Sequence, residues 1–157
     1  MKRPLVLGVG NLLMGDEGVG VAAIRHLERT GSAGQADLLD GGTSGFNLLG
    51  LFREYEHVIL IDASADGKAP GTVSLIKPKF ANDFPPTLTA HDIGLKDLIE
   101  SAALLGDWPK VDLVTISIGE FCTMSMDLSA AVKAALPEVE ALVLKCLEAA
   151  LVGQAKT

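Results

Sequence analysis

Runs of aliphatic residues alternate along this chain with segments whose apolar residues recur at helical spacing. The aliphatic runs predict buried strands at residues 4–9, 57–62 and 111–118, a short strand at residues 36–40 and an edge strand at residues 72–76. The helical spacing predicts helices at residues 17–30, 44–54, 90–105 and 128–151, the last bent or restarted at Pro137. Because strands and helices alternate, we expect an α/β fold. It is a three-layer αβα sandwich whose twisted, mostly parallel five-stranded sheet carries helices on both faces.

Composition limits the classes of protein to which this chain can belong. Its 157 residues, 48% hydrophobic and 21% charged, suit one domain that spans residues 1–157. The net charge of −7 and the lack of a Lys/Arg cluster argue against nucleic-acid binding. No apolar run approaches about 18 residues, so no membrane insertion is expected. The first strand starts too early to leave room for a signal peptide, which predicts a cytoplasmic protein, and nothing in the sequence argues against a monomer.

Both cysteines and two of the three histidines are interpreted as structural. Cys122 and Cys146 are too far apart for a C-x-x-C metal site, and both are expected to be reduced, with one packed in the core of the last helix. His26 falls in the middle of a predicted helix, and His57 lies at the start of a predicted strand, away from its carboxyl end.

Acidic residues follow each of the first three predicted strands. Asp16 and Glu17 come after the first strand, Asp40 closes the second and Asp62 the third, and His91 follows a Pro-rich loop. Since ligands collect at the carboxyl ends of parallel strands, where these residues are placed, we expect the five side chains to converge at one edge of the sheet.

Most of these residues also have a purely structural explanation. Asp16 is suited to cap the first helix, Glu17 to interact with the dipole of that helix, and Asp40 to cap the turn that follows it. A carboxylate at the end of a buried strand, by contrast, needs a partner to offset its desolvation. A functional role is therefore favoured for Asp62, and both explanations stay open for the other three carboxylates.

Glycine is dense in the turn after the first strand and in the helix start that follows. Gly18 and Gly20 each cost roughly 1 kcal/mol in a helix relative to Ala. We interpret them as marking a place where another group comes close to the backbone, and the turn as a binding surface.

Glu17, Asp62 and His91 together offer two carboxylates and one imidazole, a set that suits Ni²⁺ or Zn²⁺ and leaves coordination positions open. Thr89 and Asp92 match a capping box, which places His91 in a first helical turn, where the helix dipole favours the neutral imidazole that a metal needs. No short motif unites the three residues, so their spacing alone does not identify a metal.

Residues 8–20, Gly-Val-Gly-Asn-Leu-Leu-Met-Gly-Asp-Glu-Gly-Val-Gly, resemble the N-terminal signature of the NiFe-hydrogenase maturation proteases. Further similarity follows in order at residues 40–43, 59–63, 88–91, 94–95, 128–132 and 136–137, so the resemblance covers nearly the whole chain. One segment differs, because Gly119-Glu120-Phe121-Cys122 stands where the family has a sequence like Gly-Gln-Pro. Because of that difference, the resemblance does not indicate how the client docks or to which subtype of the family the chain belongs.

The resemblance implies an endopeptidase that removes a short C-terminal extension from the precursor of a NiFe-hydrogenase large subunit after nickel has been inserted. By the family pattern Glu17, Asp62 and His91 contact the nickel, which comes with the client and is not held tightly by the enzyme itself. Substrate binding is assigned to Asn11, Gly41, Gly42 and Thr43.

The sequence shows neither a Ser/His/Asp order nor an activated cysteine, so water is the expected nucleophile. In one mechanism the metal polarises the scissile carbonyl or lowers the pKa of a bound water. In the other the metal only positions the client, and a carboxylate, Asp40 or Asp16, acts as general base. We favour the second mechanism, because nickel already ligated in its client has few free positions.

Three alternatives belong to other classes. A non-catalytic metal-binding chaperone of hydrogenase assembly would use the same three ligands. A nucleotide-binding α/β domain is disfavoured by Leu13, which replaces the third glycine of the fingerprint, and by the acidic pair Asp16-Glu17. Peptidyl-tRNA hydrolase also begins with Gly-x-Gly-Asn, but its later signature is absent and the acidic chain suits tRNA poorly.

Overall fold

The computed structural model describes residues 3–42, 48–89, 100–101, 104, 106, 109–119 and 124–155. Within these residues one sheet contains β1 (Leu5–Val9), β2 (Asp37–Gly42), β3 (His57–Ser64), β4 (Val73–Ile76) and β5 (Lys110–Ser117). The strand order is β2-β1-β3-β5-β4. All neighbours are parallel except β4, which pairs antiparallel with β5 at the edge. The predicted five-stranded, mostly parallel sheet is confirmed.

The described helices are α1 (Val19–Thr30), α2 (Leu48–Glu54), α3 (Ala130–Ala134) and α4 (Leu136–Ala155). Short 3-10 helices occur at Gly15–Gly18 and Ala81–Asp83. The last predicted helix restarts one residue before Pro137, since proline suits a first helical turn but not a helix interior. Most of the helix predicted at 90–105 lies outside the described residues. Within the described part of the chain, no helix is long and apolar enough to cross a bilayer.

The sheet is covered on both faces, which explains why its central strands are almost wholly aliphatic. One face packs against α1 and α4, through buried residues such as Ile24, Ile61 and Val143. The other face packs against Phe52 of α2 and against Phe84 in the loop after β4. The predicted three-layer αβα architecture is confirmed.

A buried histidine–aspartate pair lies at the amino-terminal edge of the parallel strands. The ring nitrogen Nε2 of His57 is 2.7 Å from Oδ2 of Asp112. Burial alone raises the pKa of Asp112, but the hydrogen bond and charge of His57, together with Lys77 and Lys110, hold that pKa below its ordinary value of 3.8. Burial, followed by the charge of Asp112, raises the pKa of the Cys146 thiol to about 11. Cys146 is therefore the inert, buried core thiol that the sequence predicted.

Replacing Asp112 with asparagine should lower the free energy of unfolding by about 1–3 kcal/mol at neutral pH, because His57 loses its charged acceptor. The pKa of Asp112 is lower in the folded chain than in the unfolded chain. Its stabilisation is therefore complete above about pH 4 and is lost as pH falls through the folded-state pKa. Urea unfolding of both proteins between about pH 7 and about pH 3 should show a stability difference that shrinks towards acid. A difference that grows towards acid would contradict this account.

Candidate functional site

The carboxyl ends of β2, β1 and β3 lie side by side. Asp40 of β2 pairs with Gly8 of β1, and Gly8 pairs on its other side with the residue of β3 just before Asp62. Neighbouring strands are about 4.8 Å apart, so the backbones of β2 and β3 are about 10 Å apart here. The 3-10 helix that carries Asp16 and Glu17 packs against β3. The structure thus brings four of the five predicted residues to one edge of the sheet.

The glycines after β1 allow backbone to pack directly on backbone. A Cβ added at Gly20 would lie 2.3 Å from the carbonyl oxygen of Val9 and 2.5 Å from that of Ile61. At Gly10, where φ is +135°, a Cβ would lie 2.1 Å from the carbonyl oxygen of Glu17. A close approach is therefore confirmed, but the approaching group is the protein's own backbone. The glycines themselves therefore seat α1 and the 3-10 helix on the sheet, and the interpretation of the turn as a binding surface stays a prediction.

Asp62 is fully buried and its carboxylate is held in place by hydrogen bonds. The backbone N–H of Ala63 donates to Asp62 Oδ1 at 2.8 Å, and the hydroxyl of Thr89 donates to the same oxygen. Thr89 reaches this position because its segment runs along the end of β3, where the N–H of Ala65 donates to the carbonyl of Thr87 at 3.0 Å. The sequence indicated that Asp62 needs a partner but assigned Thr89 to a helix cap, so the structure adds Thr89 to the site.

The sheet face around Asp62 changes from apolar to polar towards its carboxyl edge. Asp62 pairs with Thr115, and Ser64 pairs with Ser117, while the preceding pair on this face is leucine on both strands. All four polar side chains are at most 2% exposed. Ser64 Oγ lies 2.7 Å from the hydroxyl oxygen of Thr87, and the hydroxyl of Ser117 donates to Oδ2 of Asp66 at 3.1 Å. Alternating buried polar residues in β3 and β5 were a signal that the sequence analysis did not use.

Asp16 does not cap the helix that follows it. The N-cap of α1 is Gly18, which has no side-chain cap, and the 3-10 helix before it likewise begins without one. Instead, Oδ1 of Asp16 accepts a 2.7 Å hydrogen bond from the backbone N–H of Ser129, the N-cap residue of α3. The capping explanation of Asp16 was wrong because its carboxylate connects the turn after β1 to a segment more than a hundred residues later.

Asp40 and Asn11 both support turns with their side-chain oxygens. Asp40 is exposed, and its Oδ1 accepts the N–H of Gly42 at 2.9 Å, so the predicted turn cap is confirmed. Gly42 has φ of +49° and accepts the N–H of Gly10 at 2.9 Å, which joins the ends of β1 and β2. Asn11 Oδ1 accepts the N–H of Leu13 at 3.0 Å. These contacts fix the backbone on either side of the edge.

The structure describes only two of the three residues that were predicted to bind the metal. Glu17, half-buried, and Asp62 share the edge, whereas His91 lies outside the described residues, as do Thr43 and Cys122. Among the residues that are described, no group of three or more His, Cys, Asp or Glu side chains is arranged to hold a metal ion. The assignment of Glu17, Asp62 and His91 to nickel therefore stays a prediction.

Comparison with known proteins decides the family. The hydrogenase maturation protease family (HycI) matches residues 21–146. The chain is 34% identical over 148 residues to hydrogenase 2 maturation protease of Escherichia coli, covering 87% of this chain and 88% of that protein. This chain belongs to the hydrogenase maturation proteases. Hydrogenase expression/formation protein HupD of Thiocapsa roseopersicina is 38% identical over 111 residues, but this match covers 68% of this chain and about half (49%) of HupD.

Solved structures of hydrogenase maturation proteases share the fold. The maturating endopeptidase HybD of Escherichia coli superposes with a TM-score of 0.82 at 32% identity, covering 95% of this chain and 94% of that chain. The maturation protease HybD of Thermococcus kodakarensis gives 0.76 at 25% identity, covering 93% and 99%. Membership of a peptidase family favours the endopeptidase over the nucleotide-binding domain, the metal chaperone and peptidyl-tRNA hydrolase.

Proposed function

We propose that this maturation protease removes the C-terminal extension from a nickel-loaded NiFe-hydrogenase large-subunit precursor. The observation that carries the proposal is Asp62, a fully buried carboxylate held by two donors at the carboxyl edge of the sheet. Burying a carboxylate is costly, and a residue needed only for packing would be apolar in this position. The Escherichia coli relative is a hydrogenase 2 maturation protease, and this similarity supports the class of client.

Recognition of the loaded client is assigned to Glu17, Asp62 and His91. Both carboxylates belong to one edge of the sheet, and His91 is two residues beyond Thr89 in the sequence, whose hydroxyl contacts Asp62. Carboxylate oxygens and a neutral imidazole suit Ni²⁺, and three such ligands leave positions for those of the client. In this proposal the nickel is cargo of the client, and the protease reads whether that cargo is present.

Asp40 is our first candidate for the general base. Its carboxylate is exposed at the edge, and the N–H of Gly42 orients it while leaving it accessible to water. Asp40 takes a proton from water as the water oxygen attacks the scissile carbonyl carbon. A proton then reaches the amide nitrogen as the C–N bond breaks. Asp16 is the second candidate, with its Oδ1 held by the N–H of Ser129.

The substrate chain around the scissile bond is assigned to Asn11 and to the turn of Gly41, Gly42 and Thr43, which border Asp40. We further propose that the protein acts as a cytoplasmic monomer. Light scattering after gel filtration tests the monomer, and a mass of two chains would count against it.

A cleavage assay with the purified client tests the proposed endopeptidase function directly. Purified precursor of a hydrogenase large subunit, either loaded with nickel or free of it, is incubated with the protease and its intact mass is measured. We expect the loaded precursor to lose its C-terminal extension and the nickel-free precursor to stay uncut. Equal cleavage of both would remove nickel recognition from the proposal. Cleavage of neither would favour the non-catalytic metal-binding chaperone.

A further inference from the structure

A short extended segment far from the first strand lies beside the site. We name residues 124–126 the methionine segment; it consists of Met124, Ser125 and Met126. Ser125 forms a parallel bridge with Met14. The N–H of Ser125 donates to the carbonyl of Leu13 at 3.0 Å, and its carbonyl accepts the N–H of Gly15 at 2.6 Å. The methionine segment is thus paired with the chain that leads into the 3-10 helix.

Large apolar side chains are exposed on this pair of segments. Met124 is 82% exposed, Met126 is 68% exposed and Leu13 is 55% exposed. Exposed apolar side chains that lie next to one another on a folded protein often mark a site of interaction with another molecule. The unbranched thioether side chains of methionine adapt to varied apolar partners.

The backbone of the methionine segment has an open edge. Along an extended chain, successive residues direct their N–H and C=O groups to opposite sides. The N–H of Ser125 donates to Leu13, so the carbonyl of Met124, in the same planar peptide group, faces away from that pairing. The carbonyl of Ser125 accepts from Gly15, so the N–H of Met126 faces away for the same reason. In the described part of the chain, neither methionine has a backbone hydrogen bond. An added strand is the partner that satisfies such an edge.

The methionine segment is continuous with the candidate site at both of its ends. Leu13 and Met14 lead directly into the 3-10 helix of Asp16 and Glu17. Beyond the segment, the N–H of Ser129 donates to Oδ1 of Asp16. A client chain that lies along the methionine segment therefore continues to the carboxyl edge of the sheet, where Asp16 and Glu17 lie.

We propose that the methionine segment binds an extended, apolar stretch of the client as an added strand, which presents the client's tail to the carboxylates. Met124, Met126 and Leu13 provide the apolar surface, and the open backbone edge provides hydrogen bonds that any sequence is able to make. The proposal rests on the proposed function, since it takes the occupant to be the precursor that the protease cuts.

The test replaces both methionines, M124Q and M126Q together, which keeps side-chain length and removes apolar character. We expect KM for the precursor to rise about tenfold while kcat stays within about twofold, and the affinity for the precursor in biolayer interferometry to fall about tenfold. The matched control is F80Q, since Phe80 is 72% exposed but follows β4 at the opposite edge of the sheet. F80Q should leave all three quantities unchanged.

Hydrogen exchange separates strand addition from simple apolar contact. In the complex with precursor, the amide of Met126 should exchange more slowly, whereas those near Phe80 should not change. Unaltered KM and affinity in the double variant would overturn the proposal, as would a wild-type dimer that the double variant abolishes. Wild-type protein that binds precursor through this segment but never cuts it would overturn the proposed function and leave the docking proposal supported.

Discussion

Replacement of Asp62 by asparagine should reduce processing of the nickel-loaded precursor at least about 100-fold while the protein remains folded. Asparagine keeps an oxygen that is able to accept the N–H of Ala63 and the hydroxyl of Thr89, so the local structure is preserved. What is lost is the negative charge. The measurement is the rate of extension removal by intact mass, alongside the free energy of unfolding from urea titration.

Two further variants help to explain the result for Asp62→Asn. Thr89→Val removes the hydroxyl donor without changing the charge, and we expect a smaller loss of about tenfold, because the hydroxyl of Thr89 acts by positioning Asp62. Asp40→Asn should lower kcat if Asp40 is the base, and its exposed position predicts little change in stability. Full activity in both Asp62→Asn and Asp40→Asn would remove both carboxylates from the mechanism.

The substitution Gly20→Ala should destabilise the fold more than any surface change. The new methyl group would lie 2.3 Å from the carbonyl oxygen of Val9 and 2.5 Å from that of Ile61. Both atoms belong to the backbone of the central strands, so no side chain is able to move aside and α1 must separate from the sheet. We expect a loss of at least about 3 kcal/mol, a large share of the roughly 5–15 kcal/mol that holds a domain folded.

Helical glycines with open surroundings provide the control. Gly50 in α2 and Gly153 in α4 would place a Cβ with nothing within 4 Å. Alanine at either position should be neutral or stabilising by up to about 1 kcal/mol, because alanine is the better helix former. Urea unfolding of the three variants measures the contrast. If Gly20→Ala matched Gly50→Ala in stability, the seating of α1 on the sheet would be wrong.

The strands and helices that form the layers of the fold were predictable, because the local pattern of apolar and polar residues determines them. The aliphatic run ending at Asp62 allows only a strand buried on both faces, and a strand-end carboxylate inside such a run indicates a site. Likewise, Asp16, Asp40 and Asp62 were placed at one edge by the geometry of parallel strands alone. The structure confirms that placement for the residues it describes.

What the sequence could not reveal are partners that are distant along the chain. Nothing near Asp16 indicates that its carboxylate binds the backbone of Ser129, and nothing near Leu13 indicates pairing with Ser125. For Gly20 the sequence predicted a close approach but not the approaching group, since a glycine has no side chain to show whether a ligand or a neighbouring strand lies against it. Such contacts depend on tertiary packing and not on local preference.

The pairing of Ser125 with Leu13 and Gly15 has a consequence for engineering the family. Chimeras that exchange client preference between two such proteases need residues 11–17 and 124–129 to be transplanted together. Moving either stretch alone would pair the turn of one parent with a segment whose backbone path and side chains come from the other. The two stretches should behave as a single exchangeable cassette, although most of the chain separates them.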